Sequence, residues 1–256
     1  MRFDVITLFP EIFPGPLAAG VVGRALEQGL IEIQAHDLRQ FGLGVHRQVD
    51  DIPYGGGPGM VLRPEPLFKA VRAIQAVPEV APARGMLLSA HGRKLTAELV
   101  EGLALEQGLL LVCGRYEGVD ERLHMGLYLD EISVGDFVVS GGELPAMMLI
   151  EAVARRLPGT LGDPESALDE SFSGGLPEYP HYTRPAVFEG MAVPEVLRSG
   201  DHAKIASWRA EAALERARRL RPDLLEGGAA GRTVETADRD EKRDPAATGV
   251  PLGGAQ

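Results

Sequence analysis

The chain has 256 residues, 45% of them apolar and 25% charged, which suits one large domain or a medium domain with a small companion around a real core. Its formal net charge of −11 excludes a protein that coats nucleic acid indiscriminately, because phosphate neutralisation needs clustered Lys and Arg; a local RNA site stays open. The single cysteine, Cys113, excludes an internal disulfide and a cysteine-built zinc site, and no histidines fall at metal-ligand spacing. Met1 to Ile6 carries no basic cap before a long apolar run, and no stretch approaches the roughly 20 apolar residues of a membrane span. A cytoplasmic protein that does not cross a membrane is expected.

In chain order, residues 2–8 alternate and are rich in β-formers, so they read as a strand. Pro10 opens a helical pattern that runs to about Gly29, and residues 30–36 alternate again. Residues 53–60, Pro-Tyr-Gly-Gly-Gly-Pro-Gly-Met, combine glycines that permit positive φ with prolines that stiffen the loop. No Gly-Lys-Ser/Thr follows, so this is not a nucleoside-triphosphate loop; by itself it reads as a tight surface loop. Residues 85–90 and 109–113 are short apolar runs of the buried-strand kind. Between them Leu95, Leu99, Leu103 and Leu105 mark an amphipathic helix, with Thr96 near its start. Residues 129–134 and 137–139 read as further strands, and 144–157 as a helix apolar almost all round and so buried on most sides. Met147 and Met148 read as core, and Cys113 as a small buried residue at a strand end. Alternating strand and helix implies an α/β fold with a mainly parallel sheet flanked by helices.

The texture changes after Leu157. Residues 158–185 are rich in Pro, Gly, Ser and acids and read as a linker. Helical pattern returns over 194–225 around Trp208, the only tryptophan, as a compact helical piece. Arg216, Arg218, Arg219 and Arg221 read as a solvated helix face. Beyond Gly227 large apolar residues are scarce and disorder is expected. The expected organisation is a catalytic and cofactor-binding domain over 1–160, a linker over 161–185, a helical domain over 186–226 and a tail over 227–256.

Two more glycine-rich segments follow strands and precede helices. One is Cys113-Gly114-Arg115-Tyr116-Glu117-Gly118-Val119-Asp120-Glu121-Arg122. The other is Val134-Gly135-Asp136-Phe137-Val138-Val139-Ser140-Gly141-Gly142-Glu143-Leu144-Pro145. Ligands of open α/β sheets bind outside the carboxyl ends of strands, where such loops converge. Neither matches G-x-G-x-x-G, which disfavours a dinucleotide; together they suit a flat ligand held largely by backbone groups.

These two segments, with 53–60 and Pro180-His181-Tyr182-Thr183-Arg184-Pro185, resemble in content and order the signature segments of the TrmD-type tRNA (guanine-N1)-methyltransferases, over roughly residues 1–225. The resemblance implies a SPOUT fold with a deep trefoil knot, an obligate homodimer with active sites at the subunit interface, and a helical C-terminal domain that binds tRNA. It implies S-adenosylmethionine-dependent methylation of guanine N1 at position 37, the base 3′ of the anticodon, and a dependence on Mg²⁺ whose site the sequence does not reveal. By motif, Ser89, Gly114, Tyr116, Glu117, Gly118, Val134, Gly135, Asp136, Phe137, Val138, Val139, Gly141, Gly142 and Pro145 would line the cofactor pocket. Asp50, Tyr54, Gly55, Gly56, Gly57 and Gly59, with His181 and Arg184, would meet the tRNA, and Arg155 holds the place of the catalytic arginine.

The chemistry gives these residue types a reason. Guanine N1 carries a proton at neutral pH, so a carboxylate must remove it. Negative charge then moves onto O6, where a fixed guanidinium stabilises it. A sulfonium donor supplies the methyl, so no protein nucleophile is required. The family's base is an Asp before Ser-Phe, whereas this chain reads Asp169-Glu170-Ser171-Phe172. Register assigns the role to Glu170, with Asp169 as the alternative. Position 90 is Ala where the family has Pro. Methylation of another tRNA or rRNA nucleotide, or RNA binding without catalysis, are the competing functions.

Overall fold

The computed structural model describes residues 1–80, 83–162 and 170–226, and the chain divides into two units, 1–173 and 174–256. In the first unit β1 (Arg2–Thr7) leads through a 3-10 turn to α1 (Pro14–Leu17), α2 (Gly20–Glu27) and β2 (Glu32–Asp37). A small ladder of β3 (Asp50–Asp51) and β4 (Val61–Leu62) precedes α3 (Pro64–Gln75). Then come β5 (Arg84–Lys94), α4 (Ala97–Leu103), β6 (Gly108–Cys113), α5 (Arg122–Gly126), β7 (Asp130–Ser133) and α6 (Glu143–Ala154). The five long strands form one sheet in the order β2-β1-β6-β5-β7, and every pairing within it is parallel.

Side-chain alternation assigns the two faces. Phe3, Val5, Leu109, Leu111 and Cys113 point to one core with Val22 and Ala25 of α2, Val100 and Leu103 of α4, and Ala146, Leu149 and Ile150 of α6. Ile6, Leu110 and Val112 point to the other, with Leu67, Val71 and Ile74 of α3 and Leu123 of α5. Each of the six residues of β6 is buried, as a strand with neighbours on both edges and helices on both faces requires.

Local chemistry sets the element ends. Thr96 caps α4 by accepting the Leu99 amide at 3.3 Å, which satisfies one orphan donor of the first turn. Pro64 begins α3, where its missing N–H costs nothing. Strand β5 runs past the expected 85–90. It pairs with β7 from Met86 to Leu88 and resumes at Arg93, so residues 89–92 bulge outward. Gly92 permits the bulge, because a Cβ there would lie 2.4 Å from the Glu131 carbonyl carbon.

Three expectations are corrected. The helical pattern from Pro10 to Gly29 is broken into a 3-10 turn and two short helices, since Ala19 is extended and Gly20 has φ +65°. Residues 137–139 are not a strand. The Ser133 hydroxyl binds both the carbonyl and the amide of Gly135 and turns the chain out of the sheet, leaving Phe137 and Val138 exposed. On α6, Met147 is core but Met148 and Leu144 are more than half exposed, so one apolar stripe of that helix is uncovered in the single chain.

In the second unit, the hairpin β8 (Val187–Phe188) and β9 (Met191–Ala192) precedes α7 (Glu195–Arg198), α8 (His202–Leu220) and α9 (Asp223–Glu226). Asp201 caps α8 at the Lys204 amide. Trp208 packs near Tyr182 with ring centroids 6.3 Å apart, and Arg209 stacks over Tyr179 at 4.5 Å. Residues 227–256, where a disordered tail is expected, lie outside the described residues.

Because Leu111 is fully buried in the central strand, Leu111→Ala is expected to lower unfolding free energy by about 2–5 kcal/mol in urea titrations; a loss under about 0.5 kcal/mol would contradict this packing.

Candidate active site

The strands end where the glycine segments begin, and the loops there enclose a cavity of about 630 Å³, within the range of small-ligand sites. Its walls come from the bulge after Leu88, the loop after β6, the loop after β7 and the start of α6. Ser89, Gly114, Tyr116, Glu117, Gly118, Val134, Gly135, Phe137, Val138, Val139, Gly141, Gly142 and Pro145 all line it. Asp136 does not; its carboxylate is exposed and pairs with Lys94, because the Ser133–Gly135 turn places the next side chain outward. The motifs did not reveal His91, His124 and Glu131, which also line the cavity. His91 enters through the β5 bulge, a register shift that strand periodicity does not disclose.

Close backbone approach builds the floor. The Gly142 amide donates to the Gly114 carbonyl at 2.8 Å, and a Cβ on Gly142 would stand 2.7 Å from the Cys113 Cα and 3.0 Å from the Gly114 nitrogen. Beneath it sits Glu143, whose carboxylate is 2% exposed. It accepts the Thr7 hydroxyl at 2.8 Å and the Arg115 Nε–H at 2.9 Å. Arg115 also donates to the Ser140 carbonyl at 3.2 Å and lies 4.5 Å over the Phe9 ring. One ion pair thus fastens the loops after β1, β6 and β7 to the first turn of α6, where a carboxylate is also favoured by the helix dipole. Burial first, and then the Glu143 charge, hold the Cys113 thiol well above its ordinary pKa, so it is a packed, protonated side chain.

The segment around 53–60 forms a hairpin. Gly55, Gly56, Gly57 and Gly59 all have φ between +77° and +120°, a region costly for other residues. Tyr54 at its tip is fully exposed. The hairpin is stitched to the cavity: the Glu117 amide donates to the Met60 carbonyl at 2.9 Å, and a Cβ on Gly59 would meet the Glu117 carboxylate at 2.3 Å. Asp50 lies on β3, the hairpin's outer strand. Burial first, then the charge and hydrogen-bonding reach of Asp50, raise the Tyr116 phenol above its usual pKa.

Arg155 follows the last turn of α6, and its guanidinium donates directly to the Glu170 carboxylate; the other Glu170 oxygen lies 4.0 Å from Arg156. The pair is partly exposed, and neither residue is among those that line the cavity. Asp169 lies outside the described residues. In the second unit His181 is 3.7 Å from Glu178 and against the Tyr179 ring, while Arg184 is exposed. Among the described residues no group of three or more His, Cys, Asp or Glu side chains is placed to hold a metal ion, and no helix is long and apolar enough to cross a membrane.

An open parallel α/β sheet with a ligand-sized cavity at its carboxyl edge, walled by two glycine loops, defines a small-molecule-binding α/β protein. A sequence profile of the family described as "tRNA (Guanine-1)-methyltransferase TrmD" matches residues 1–227. Similar proteins include the tRNA (guanine-N(1)-)-methyltransferases of Moorella thermoacetica (52% identical, covering 88% of this chain and 90% of the relative) and Chloroflexus aurantiacus (52%, 93% and 93%). That of Geobacter sulfurreducens is 48% identical over 94% of this chain and 96% of its own length. The chain belongs to the TrmD family.

Removing the Glu143 carboxylate leaves the mostly buried Arg115 without its ionic partner, with only the Ser140 carbonyl as acceptor. Glu143→Ala should cost about 3 kcal/mol in urea unfolding, whereas a cost below about 1 kcal/mol would mean water already satisfies the guanidinium.

Proposed function

We propose that the protein methylates N1 of a tRNA guanine, the base 3′ of the anticodon at position 37, with S-adenosylmethionine as donor. The observation that carries this is the conjunction of the glycine-floored cavity with an arginine–carboxylate pair at Arg155 and Glu170, on a chain of this family.

The cavity fits the donor. Its walls mix apolar side chains (Leu88, Ile132, Val134) with glycines that bring backbone to the cavity, as an adenine ring sandwiched by apolar groups and read by backbone needs. A Cβ on Gly118 would meet nothing within 4 Å, so its absence leaves room. Glu117, Glu121 and Glu131 around the cavity suit a ligand that carries positive charge. Ser89, Gly114, Tyr116, Glu117, Gly118, Val134, Gly135, Phe137, Val138, Val139, Gly141, Gly142 and Pro145 hold it in this reading, without Asp136, which turns outward. When bound, S-adenosylmethionine supplies an electrophilic methyl on a sulfonium.

This chain's residues supply the rest. Glu170 takes the N1 proton as general base, and Arg155 stabilises the charge that develops on O6. N1 and O6 are neighbours on one edge of guanine, and an arginine already bonded to a carboxylate offers complementary groups at that spacing. Asp50, Tyr54, Gly55, Gly56, Gly57 and Gly59 form the acceptor surface, with His181 and Arg184 as further tRNA contacts.

Three finer assignments go with this reading. The SPOUT trefoil knot accords with the close approach of the two glycine loops, where the Gly142 amide donates to the Gly114 carbonyl at 2.8 Å and Arg115 bridges Gly141. A homodimer with shared active sites is supported by the uncovered Leu144 and Met148 on α6, by exposed Phe137 and Val138, and by the absence of Arg155 and Glu170 from the cavity walls; an apolar patch of that kind calls for a partner surface. Residues 1–160 would then be the catalytic domain, 161–185 the linker and 186–226 a tRNA-binding domain, in a cytoplasmic enzyme. A Mg²⁺ requirement has no residues assigned to it.

Labelled S-adenosylmethionine with tRNA transcripts that differ only in the base 3′ of the anticodon tests the reading, and label should enter the guanine transcript alone. In single turnover Glu170→Gln should slow transfer by about 10²–10⁴-fold, with Asp169→Asn close to the parent. Label in a transcript lacking that guanine would contradict the site assignment, and the reverse order of the two variants would move the base to Asp169.

A further inference from the structure

Glu170 meets two guanidinium groups at the end of α6. Arg155 donates to its Oε1, and Nη2 of Arg156 lies 4.0 Å from its Oε2, so each carboxylate oxygen faces a different arginine. The same Nη2 lies 3.8 Å from the Glu101 carboxylate on α4. Backbone bonds fix both arginines to the helix end: the Arg155 amide donates to the Glu151 carbonyl at 3.1 Å and the Arg156 amide to the Val153 carbonyl at 3.0 Å. Glu101 stands on an equally firm base, because Val100 and Leu103 of α4 share a core with Val153 and Ala154 of α6. A carboxylate beside the carboxyl end of a helix sits against the negative pole of its dipole, so the two cations are what favour Glu170 there.

The arginines differ in freedom. The side chain of Arg155 is 38% exposed and that of Arg156 15%. In methyl transfer Arg155 faces two competing demands. An N–H group spent on the carboxylate is not available to guanine O6, and a carboxylate oxygen bonded to a cation is a weaker base. Arg155 must therefore leave Oε1 as the guanine enters. With no second cation, the mostly buried carboxylate would then be left without an opposing charge and free to swing from N1.

We infer that Arg156 is a positioning residue for the transfer: braced by Glu101, it retains Glu170 through Oε2 while Arg155 moves from Oε1 to guanine O6, given the reading of Glu170 as general base on which this rests. The N1 proton passes to the vacated Oε1. The N–H electron pair stays on the guanine, its charge spreads to O6 opposite Arg155, and the methyl joins N1 from the sulfonium. Arg156 is not among the residues that wall the cavity and acts only through Glu170.

Single-turnover methylation in a double-mutant cycle tests this, with the full chain and saturating tRNA and S-adenosylmethionine. Arg156→Ala should slow transfer by about tenfold to a hundredfold, the effect of a misplaced catalytic group. Affinities for S-adenosylhomocysteine and tRNA should stay within about twofold of the parent protein. Arg156→Lys, which keeps a cation in place, should recover the rate to within about threefold. In a Glu170→Gln background Arg156→Ala should cost less than about twofold more, because no carboxylate remains to be held. Should Arg156→Ala fold poorly, Glu101→Gln removes only the brace; it should slow transfer by about threefold or more, and a rate equal to the parent's would overturn the inference. A rate within about twofold of the parent in folded Arg156→Ala, an equal loss in both backgrounds, or a loss confined to tRNA affinity would overturn it too. Glu170→Gln as fast as the parent overturns the reading of Glu170 as the base, and this inference with it.

Discussion

The Glu143–Arg115 pair is the constraint on which the carboxyl edge of the sheet depends. A carboxylate 2% exposed is tolerated only when it is hydrogen-bonded and opposed by charge, and here both partners arrive from other loops. Thr7 comes from the end of β1 and Arg115 from the end of β6. The same guanidinium reaches back to the Ser140 carbonyl, so the loop after β7 cannot drift from the loop after β6. The hydrogen bond from the Gly142 amide to the Gly114 carbonyl lies next to this clamp in the chain, between the neighbours of Arg115 and Glu143. The cavity floor is a consequence of a buried charge that must be satisfied.

The arrangement also explains the division of labour among the glycines. Gly142 and Gly92 are places where another backbone comes too close for a Cβ, whereas Gly55, Gly56 and Gly57 have open space and positive φ. The first kind builds the cavity; the second shapes a hairpin that stands out from it. Tyr116 is the exception in this set, a large residue in a glycine-like conformation.

Much of this was legible in the residues. The alternation in β1 and the unbroken apolar run in β6 correctly implied a parallel sheet covered on both faces, and Thr96 marked the start of α4. Strand periodicity failed at residues 137–139, where three β-formers follow a turn made by the Ser133 hydroxyl rather than by any residue of the strand itself. It failed again in β5, whose bulge brings His91 to the cavity, because a register shift depends on the neighbouring strand. The Glu143–Arg115 pair was hidden for a different reason: its members are 28 residues apart, and nothing local marks a carboxylate as buried. The methyl acceptor and its chemistry came from the family resemblance, which composition and spacing could not replace.

On the function proposed above, the close approach of Gly142 to Gly114 forms the floor of the methyl-donor site. Calorimetric titration of S-adenosylhomocysteine into Gly142→Ala tests it most directly, since the added Cβ would stand 2.7 Å from the Cys113 Cα and force the two loops apart. A cooperative unfolding transition should still be present, with affinity weakened by about a hundredfold or more. Affinity equal to that of the parent protein would contradict it and place the donor elsewhere on the molecule.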